Sequence, residues 1–70
     1  MKLVEKLREV KEKIKNPFNY EGLEKDFMEI EELLEKASKE EVEKAYKEYE
    51  EVKRLFWRNV EILRKLYEVG

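Results

Sequence analysis

The chain contains neither cysteine nor histidine, and its only serine is Ser38. Without cysteine there is no disulfide framework and no thiolate that could bind a metal ion or attack a substrate. Without histidine the chain lacks the side chain that most often transfers protons near neutral pH. Its acidic residues show neither the spacing of an EF-hand nor the Glu-x-x-His motif of a di-iron bundle. We therefore predict that the protein is not an enzyme and that it has no catalytic residues, no cofactor and no metal site.

Long hydrophobic runs are absent as well. The longest run, Leu55-Phe56-Trp57, has three residues, whereas a transmembrane helix needs about 20. A signal peptide needs an apolar stretch of at least about seven residues. These absences predict a soluble, cytoplasmic protein. The net charge of −2 provides no general attraction to nucleic acids or to acidic membranes.

What the chain does contain is typical of long helices. Its 70 residues are 41% hydrophobic and 49% charged, and they include 17 glutamates and 12 lysines. This composition predicts a single all-α domain spanning residues 1–70. Abundant lysine and glutamate are characteristic of hyperthermophile proteins and equally of designed helical bundles. A thermostable natural protein and a de novo designed bundle without biological activity are therefore both compatible with the composition.

The apolar pattern predicts three helices, over residues 2–15, 20–37 and 39–69. The stripe of the first helix consists of Leu3, Leu7, Val10 and Ile14. Asn16-Pro17 ends this helix because proline cannot continue the hydrogen-bond ladder and disfavours the α conformation at the preceding residue. Asn19 is the predicted N-cap of the second helix. Gly22 in its first turn is unfavourable for a helix and would also fit a later start.

A second break is predicted at Ser38. Ser38 and Glu41 have the spacing of a capping box, in which each residue satisfies an unpaired N–H group of the other. The apolar stripe also changes phase here, since a stripe continued from Ala37 would place Glu41 and Lys44 in the core. Because no glycine or proline marks the break, one continuous helix over residues 20–69 is the alternative.

The last third of the chain carries more apolar surface than one helical stripe provides. The apolar side chains from Val52 onward cover about 180° of the helix circumference, whereas those of residues 39–51 cover about 120°. This end of the third helix must therefore meet more than one neighbour. Either the two short helices follow each other along the long one, or they fold back on each other and leave the wide end to a second chain.

We predict that this end carries a protein–protein contact. The residues assigned to the contact are Leu55, Phe56, Trp57, Asn59, Ile62, Leu66 and Val69. Trp57 lies outside the apolar arc, and tryptophan is enriched at binding hot spots; a ring covered by a basic side chain is the alternative. Asn59 lies inside the arc, where a buried asparagine can set the register of a helical assembly. The Asn59 side chain could equally face water.

Charge is distributed unevenly along the chain. The net charges of residues 2–15, 20–37, 39–51 and 52–70 are +3, −5, −3 and +3, respectively. Short helices placed end to end along the third would form a dipolar rod that pairs with an antiparallel copy. The sequence therefore predicts an interaction module that forms an antiparallel homodimer or binds another helical protein. Ordinary solvated charged faces would also explain the pattern, and a basic amphipathic helix that docks on nucleic acid or a membrane is a further alternative.

Overall fold

The fold consists of three helices, the third more than twice as long as either of the others. The computed structural model describes residues 2–69, and of Val69 only the backbone. Helix α1 spans Lys2–Lys13, α2 spans Leu23–Lys36, and α3 spans Lys39–Val69. No strand occurs between residues 2 and 69. The predicted all-α architecture with a long C-terminal helix is confirmed.

The turn between α1 and α2 differs from the prediction. Helix α1 ends at Lys13 and α2 begins at Leu23, so both helices are shorter than predicted. The N-cap of α2 is Gly22 with a φ of 76°, a left-handed conformation that glycine adopts without the steric cost of a Cβ atom. Asn19, the predicted N-cap, instead donates a hydrogen bond from Nδ2 to the carbonyl oxygen of Lys13 at 3.3 Å. The later start of α2 therefore explains Gly22, and Asn19 helps to terminate α1.

The break between α2 and α3 lies where it is predicted. Ala37 is extended, with φ −76° and ψ 146°, and α3 begins at Lys39. The backbone N–H of Glu41 donates to Ser38 Oγ at 3.2 Å, which satisfies one of the unpaired donors of the first turn. The Ser38 hydroxyl in turn donates to Glu41 Oε1 at 3.4 Å. The alternative of one continuous helix over residues 20–69 is therefore wrong.

The two short helices fold back on each other. Near the end of α1, Lys13 Nζ donates to Oδ2 of Asp26, in the first turn of α2, at 2.9 Å. At the start of α1, Leu3 lies beside Leu33, near the end of α2. Helices α1 and α2 are therefore antiparallel, and the end-to-end arrangement along α3 is not the one that the chain adopts.

Helix α1 runs parallel to α3. Lys11 Nζ donates to Glu48 Oε2 at 2.6 Å, and Ile14, just after α1, accepts a hydrogen bond from Asn59. Residues later in α1 thus meet residues later in α3, and the bundle has an up-down-up topology. Because both short helices are packed beside the first part of α3, its C-terminal part extends beyond them.

Helix α1 supplies the centre of the hydrophobic core. The largest fully buried side chains are Leu3, Leu7, Val10 and Ile14. The other buried apolar side chains come from α2 and α3, and they are Leu23, Ile30, Ala45, Val52 and Leu55. Of the described side chains of α3, none after Asn59 is buried. The core therefore ends well before α3 does.

Basic residues of α1 bind acidic residues on both neighbouring helices. On the α3 side the ion pairs are Arg8–Glu48, Lys11–Glu48 and Lys11–Glu51. On the α2 side, Asp26 accepts hydrogen bonds from Lys6 at 3.0 Å and from Lys13 at 2.9 Å. Burial alone would raise the pKa of the Asp26 carboxyl, but these hydrogen bonds outweigh it and hold the pKa below its usual value. Hydrogen bonds to Glu29 and Asp26 raise the pKa of Lys6.

We expect Asp26→Asn to lower the free energy of unfolding at neutral pH by about 2 kcal/mol, because it removes charge-assisted hydrogen bonds from two lysines. Since the pKa of Asp26 is lowered in the folded state, its contribution is present above the unfolded-state pKa. It is lost as the pH falls through the folded-state value. The difference in stability between wild type and variant should therefore shrink below about pH 4. Urea denaturation between neutral pH and about pH 2 measures this difference.

Glu12→Gln is the matched control for the Asp26 variant. Glu12 also binds a lysine, with its Oε1 atom 2.7 Å from Lys15 Nζ, but both side chains are exposed. The hydrogen bond from Lys15 lowers the pKa of Glu12 as well. Because exposed ion pairs contribute little to stability, this variant should unfold almost as the wild type does. If the two variants lost the same free energy of unfolding, Asp26 would contribute no more to stability than an exposed ion pair does.

Candidate interaction surface

Helix α3 extends beyond the bundle that α1 and α2 form around its first part. Near the end of the bundle, the rings of Phe56 and Phe27 meet edge-on with 5.2 Å between their centroids. Asn59 binds the chain at the end of α1. Residues 60–69, which we name the overhang, continue for about another 15 Å. The longest dimension of the molecule, 46 Å, accordingly matches the length of a 31-residue helix.

Two of the predicted contact residues are buried inside the bundle. Leu55 belongs to the core, and Asn59 is only 6% exposed. Asn59 Nδ2 donates to the Ile14 carbonyl oxygen at 2.6 Å, and its Oδ1 accepts from the Arg58 guanidinium at 3.1 Å. Arg58 also donates to the Lys15 carbonyl oxygen at 3.1 Å. These bonds satisfy carbonyl groups at the end of α1, so the register that Asn59 sets is that of α1 on α3 within one chain.

We expect Asn59→Ala to lower the free energy of unfolding by about 2 kcal/mol, because it leaves the buried Ile14 carbonyl without its side-chain donor. The variant should keep the oligomeric state of the wild type, since the amide has its partners within the chain. Arg58→Ala is the control and should cost less, because the Arg58 side chain is exposed. Urea denaturation and light scattering measure the two properties. Wild-type stability in Asn59→Ala, or a change of its oligomeric state, would contradict this assignment.

The other predicted contact residues lie at the surface, on or next to the overhang. Phe56 is half-buried, and the Trp57 ring lies against it with 5.6 Å between their centroids. Trp57 and Leu66 are 58% and 54% exposed, respectively, and Ile62 is half-buried. The side chain of Val69 lies outside the described part of the structure. More than half of the Trp57 surface is uncovered, so the indole is available for a contact with another chain.

A second apolar surface lies between α2 and α3. These two helices contact each other less than either contacts α1. Two adjoining depressions of about 310 Å³ and 270 Å³ follow the seam between them, with the fully buried Leu7 at the floor of both. The walls are formed by Phe27, Ile30 and Leu34 of α2 and by Val42, Tyr46, Tyr49 and Phe56 of α3. We name this surface the α2–α3 groove.

The sequence pattern does not predict this groove. Val42, Ala45, Tyr46 and Tyr49 form one apolar stripe in the first part of α3, but only Ala45 is buried. Tyr46 and Tyr49 are 62% and 39% exposed. Ala45 and the larger side chains beside it all line the groove, but only the small Ala45 is buried. The difference in side-chain size between Ala45 and its neighbours is the one feature of the sequence that could have indicated which residues of the stripe are buried and which stay exposed.

These features define a small three-helix bundle with an overhanging helix and an open apolar groove. No family model matches the chain, and no curated protein or solved structure matches it significantly. None of the helices described over residues 2–69 combines the length and the apolar character that crossing a membrane requires. Within the same part of the chain, no three metal-ligating side chains are grouped so that they could hold a metal ion.

Proposed function

We propose that the protein is a non-enzymatic interaction module that forms an antiparallel homodimer through the C-terminal part of α3. The observation that carries this proposal is the overhang. The overhang carries apolar side chains, and the rest of the chain buries none of those that the structure describes. A contiguous apolar surface that stays exposed on a small protein is typical of a contact with another chain.

The overhang continues the two sides of α3 that face the short helices. By helical periodicity, Ile62 and Leu66 follow Asn59 on the side that faces α1. Val60 follows Phe56 on the side that faces α2 by the same rule. Because α1 and α2 do not accompany α3 this far, these side chains remain half-buried or exposed. A second chain that covers both sides would complete the bundle at this end.

Charge favours the antiparallel orientation. Residues 1–51 have a net charge of −5, and residues 52–70 have a net charge of +3. An antiparallel neighbour places the basic part of each α3 beside the acidic part of the other, and such complementarity mainly selects orientation. The separation of charge along the molecule differs in origin from the predicted one. The basic helix α1 lies beside the acidic part of α3 and not beside its basic end, and its residues Arg8 and Lys11 bind acidic residues there.

A concentration series measured by light scattering tests the proposal. We expect a mass of twice 8.7 kDa at high concentration, decreasing towards that of one chain on dilution. Added salt should weaken the dimer without abolishing it, because salt screens exposed charges but does not weaken apolar contacts. A mass of one chain at every concentration would refute the proposal.

A further inference from the structure

We infer that the α2–α3 groove is the site that receives the overhang of a second copy of this chain. The inference rests on the proposed self-association and specifies the surface that the overhang contacts. In a dimer with two-fold symmetry, each overhang lies in the groove of the other copy. Both grooves and both overhangs are then occupied at once, and the assembly is closed.

The groove and the apolar end of α3 agree in length. Along α3 the groove runs from Val42 to Phe56, which corresponds to about 21 Å of helix. The segment from Phe56 to Val69 is nearly as long, about 20 Å. In an antiparallel pair of α3 helices, the overhang, which makes up about 15 Å of this segment, therefore lies along most but not all of the groove of the other copy.

The groove also offers apolar contacts on more than one side. Phe27 and Leu34 line it from α2, Tyr46 and Tyr49 line it from α3, and Leu7 closes the floor. The end of α3 has apolar side chains over about half of its circumference, so a flat surface would leave some of them in water. A helix that lies in a groove buries apolar side chains against both walls and the floor.

The two segments that border the groove are acidic overall, although the charged residues that line the larger depression are Glu31 and Lys53. The groove lies between residues 20–37, with a net charge of −5, and residues 39–51, with a net charge of −3. The overhang itself has two basic and two acidic residues and a net charge of 0, because the +3 of residues 52–70 comes from Lys53, Arg54 and Arg58, which lie before it. Among the described residues, Arg64 forms ion pairs with two exposed carboxylates of its own helix, those of Glu61 at 3.8 Å and Glu68 at 3.5 Å. Such exposed pairs are weak, so Arg64 can exchange them for carboxylates of α2 in a second copy at little cost.

The solvent-accessible area of the chain is larger than that expected for a compact protein of its mass. The chain exposes 5551 Å², whereas a compact monomer of 8.7 kDa is expected to expose about 4,700 Å². The excess of roughly 800 Å² is comparable to the area that each partner contributes to an interface of standard size. The overhang makes the molecule elongated, 46 × 20 × 16 Å, and an elongated chain exposes more area than a compact one of the same mass.

A mixing experiment tests whether the overhang enters the groove. Tyr46→Glu places a charge in the groove and leaves the overhang intact, while Leu66→Lys places a charge on the overhang and leaves the groove intact. Each variant alone should have a dimer dissociation constant at least about tenfold higher than wild type, because both contacts of its homodimer contain an unpaired charge. An equimolar mixture should recover the dimer. In the heterodimer, the unaltered overhang of the Tyr46→Glu chain meets the unaltered groove of the Leu66→Lys chain. The other contact places the introduced lysine beside the introduced glutamate.

Light scattering of each variant and of the mixture gives the result, and far-UV circular dichroism verifies that both variants are folded. Met28→Glu is the control, since Met28 is equally exposed on α2 but does not line the groove, and it should dimerise like the wild type. If the wild type is monomeric, the proposed self-association and this inference both fail. The groove assignment is wrong, while the self-association stands, if the wild type and Tyr46→Glu are equally dimeric. The same conclusion follows if an equimolar mixture of the two variants forms no more dimer than each variant alone.

Discussion

The variant Leu7→Ala is expected to lose about 3 to 4 kcal/mol of unfolding free energy. Leu7 is fully buried and lies where the three helices meet, next to Ile30 of α2 and Val52 of α3. The truncation removes the contacts of the leucine side chain and leaves a cavity that the neighbouring side chains fill only in part. A domain of 70 residues has a total stability of about 4 to 10 kcal/mol. The variant should therefore lose a large part of its stability.

Urea denaturation followed by circular dichroism measures this loss, at a concentration at which the chain is monomeric. Leu66→Ala is the matched control because it removes the same atoms from an exposed position on the overhang. Its unfolding free energy should stay within about 0.5 kcal/mol of the wild-type value. Similar losses in the two variants would contradict the placement of the core around α1.

The double variant Trp57→Glu/Ile62→Glu is expected to be monomeric, with a dissociation constant raised by about 100-fold or more. Trp57 is exposed and Ile62 half-buried on the end of α3. In the proposed dimer, both positions would bury a carboxylate that has no partner, and each such charge costs about 2 kcal/mol or more. Since about 1.4 kcal/mol corresponds to a factor of ten in affinity, the two substitutions should abolish the dimer at micromolar concentrations.

The mass of the double variant by light scattering is the measurement, and circular dichroism should show that it remains helical. Met28→Glu again serves as the control, because it adds a charge of the same sign at an exposed apolar position of α2 that lies outside the groove. That variant should keep the mass of the wild type. A double variant that is as dimeric as the wild type would show that the end of α3 is not the contact surface.

Local patterns in the sequence predicted most of the fold. The stripe of Leu3, Leu7, Val10 and Ile14 identified the first helix, and the same four side chains are the largest fully buried ones in the described part of the chain. Ser38 marked the start of α3 because a side-chain cap acts within one helical turn. Both features depend on residues close together in the chain, and such interactions are visible in the sequence.

The sequence did not identify the hydrogen-bond partners of two residues, Asn19 and Asn59. Asn19 has the residue type of an N-cap, but it binds the end of α1, and Gly22 begins α2 instead. Asn59 is at a position that fits an intermolecular register residue, but its partner is Ile14 of the same chain. In both cases the residue type indicated a hydrogen-bonding role, and the partner depended on which segments the fold brings together.

The sequence by itself determined the number of helices, the break at Ser38 and the excess of apolar surface at the end of α3. These properties follow from backbone preferences and from the helical period, which act over a few residues. Only the tertiary structure decided that α1 and α2 fold back on each other, that Asn59 is a cap for α1, and that a groove opens between α2 and α3. The physical reason is that each of these depends on contacts between residues far apart in the chain, such as Ile14 and Asn59, which are 45 positions apart. Several packings of the same amphipathic helices satisfy the local pattern equally well, and the ion pairs and side-chain sizes at the helix contacts select one of them.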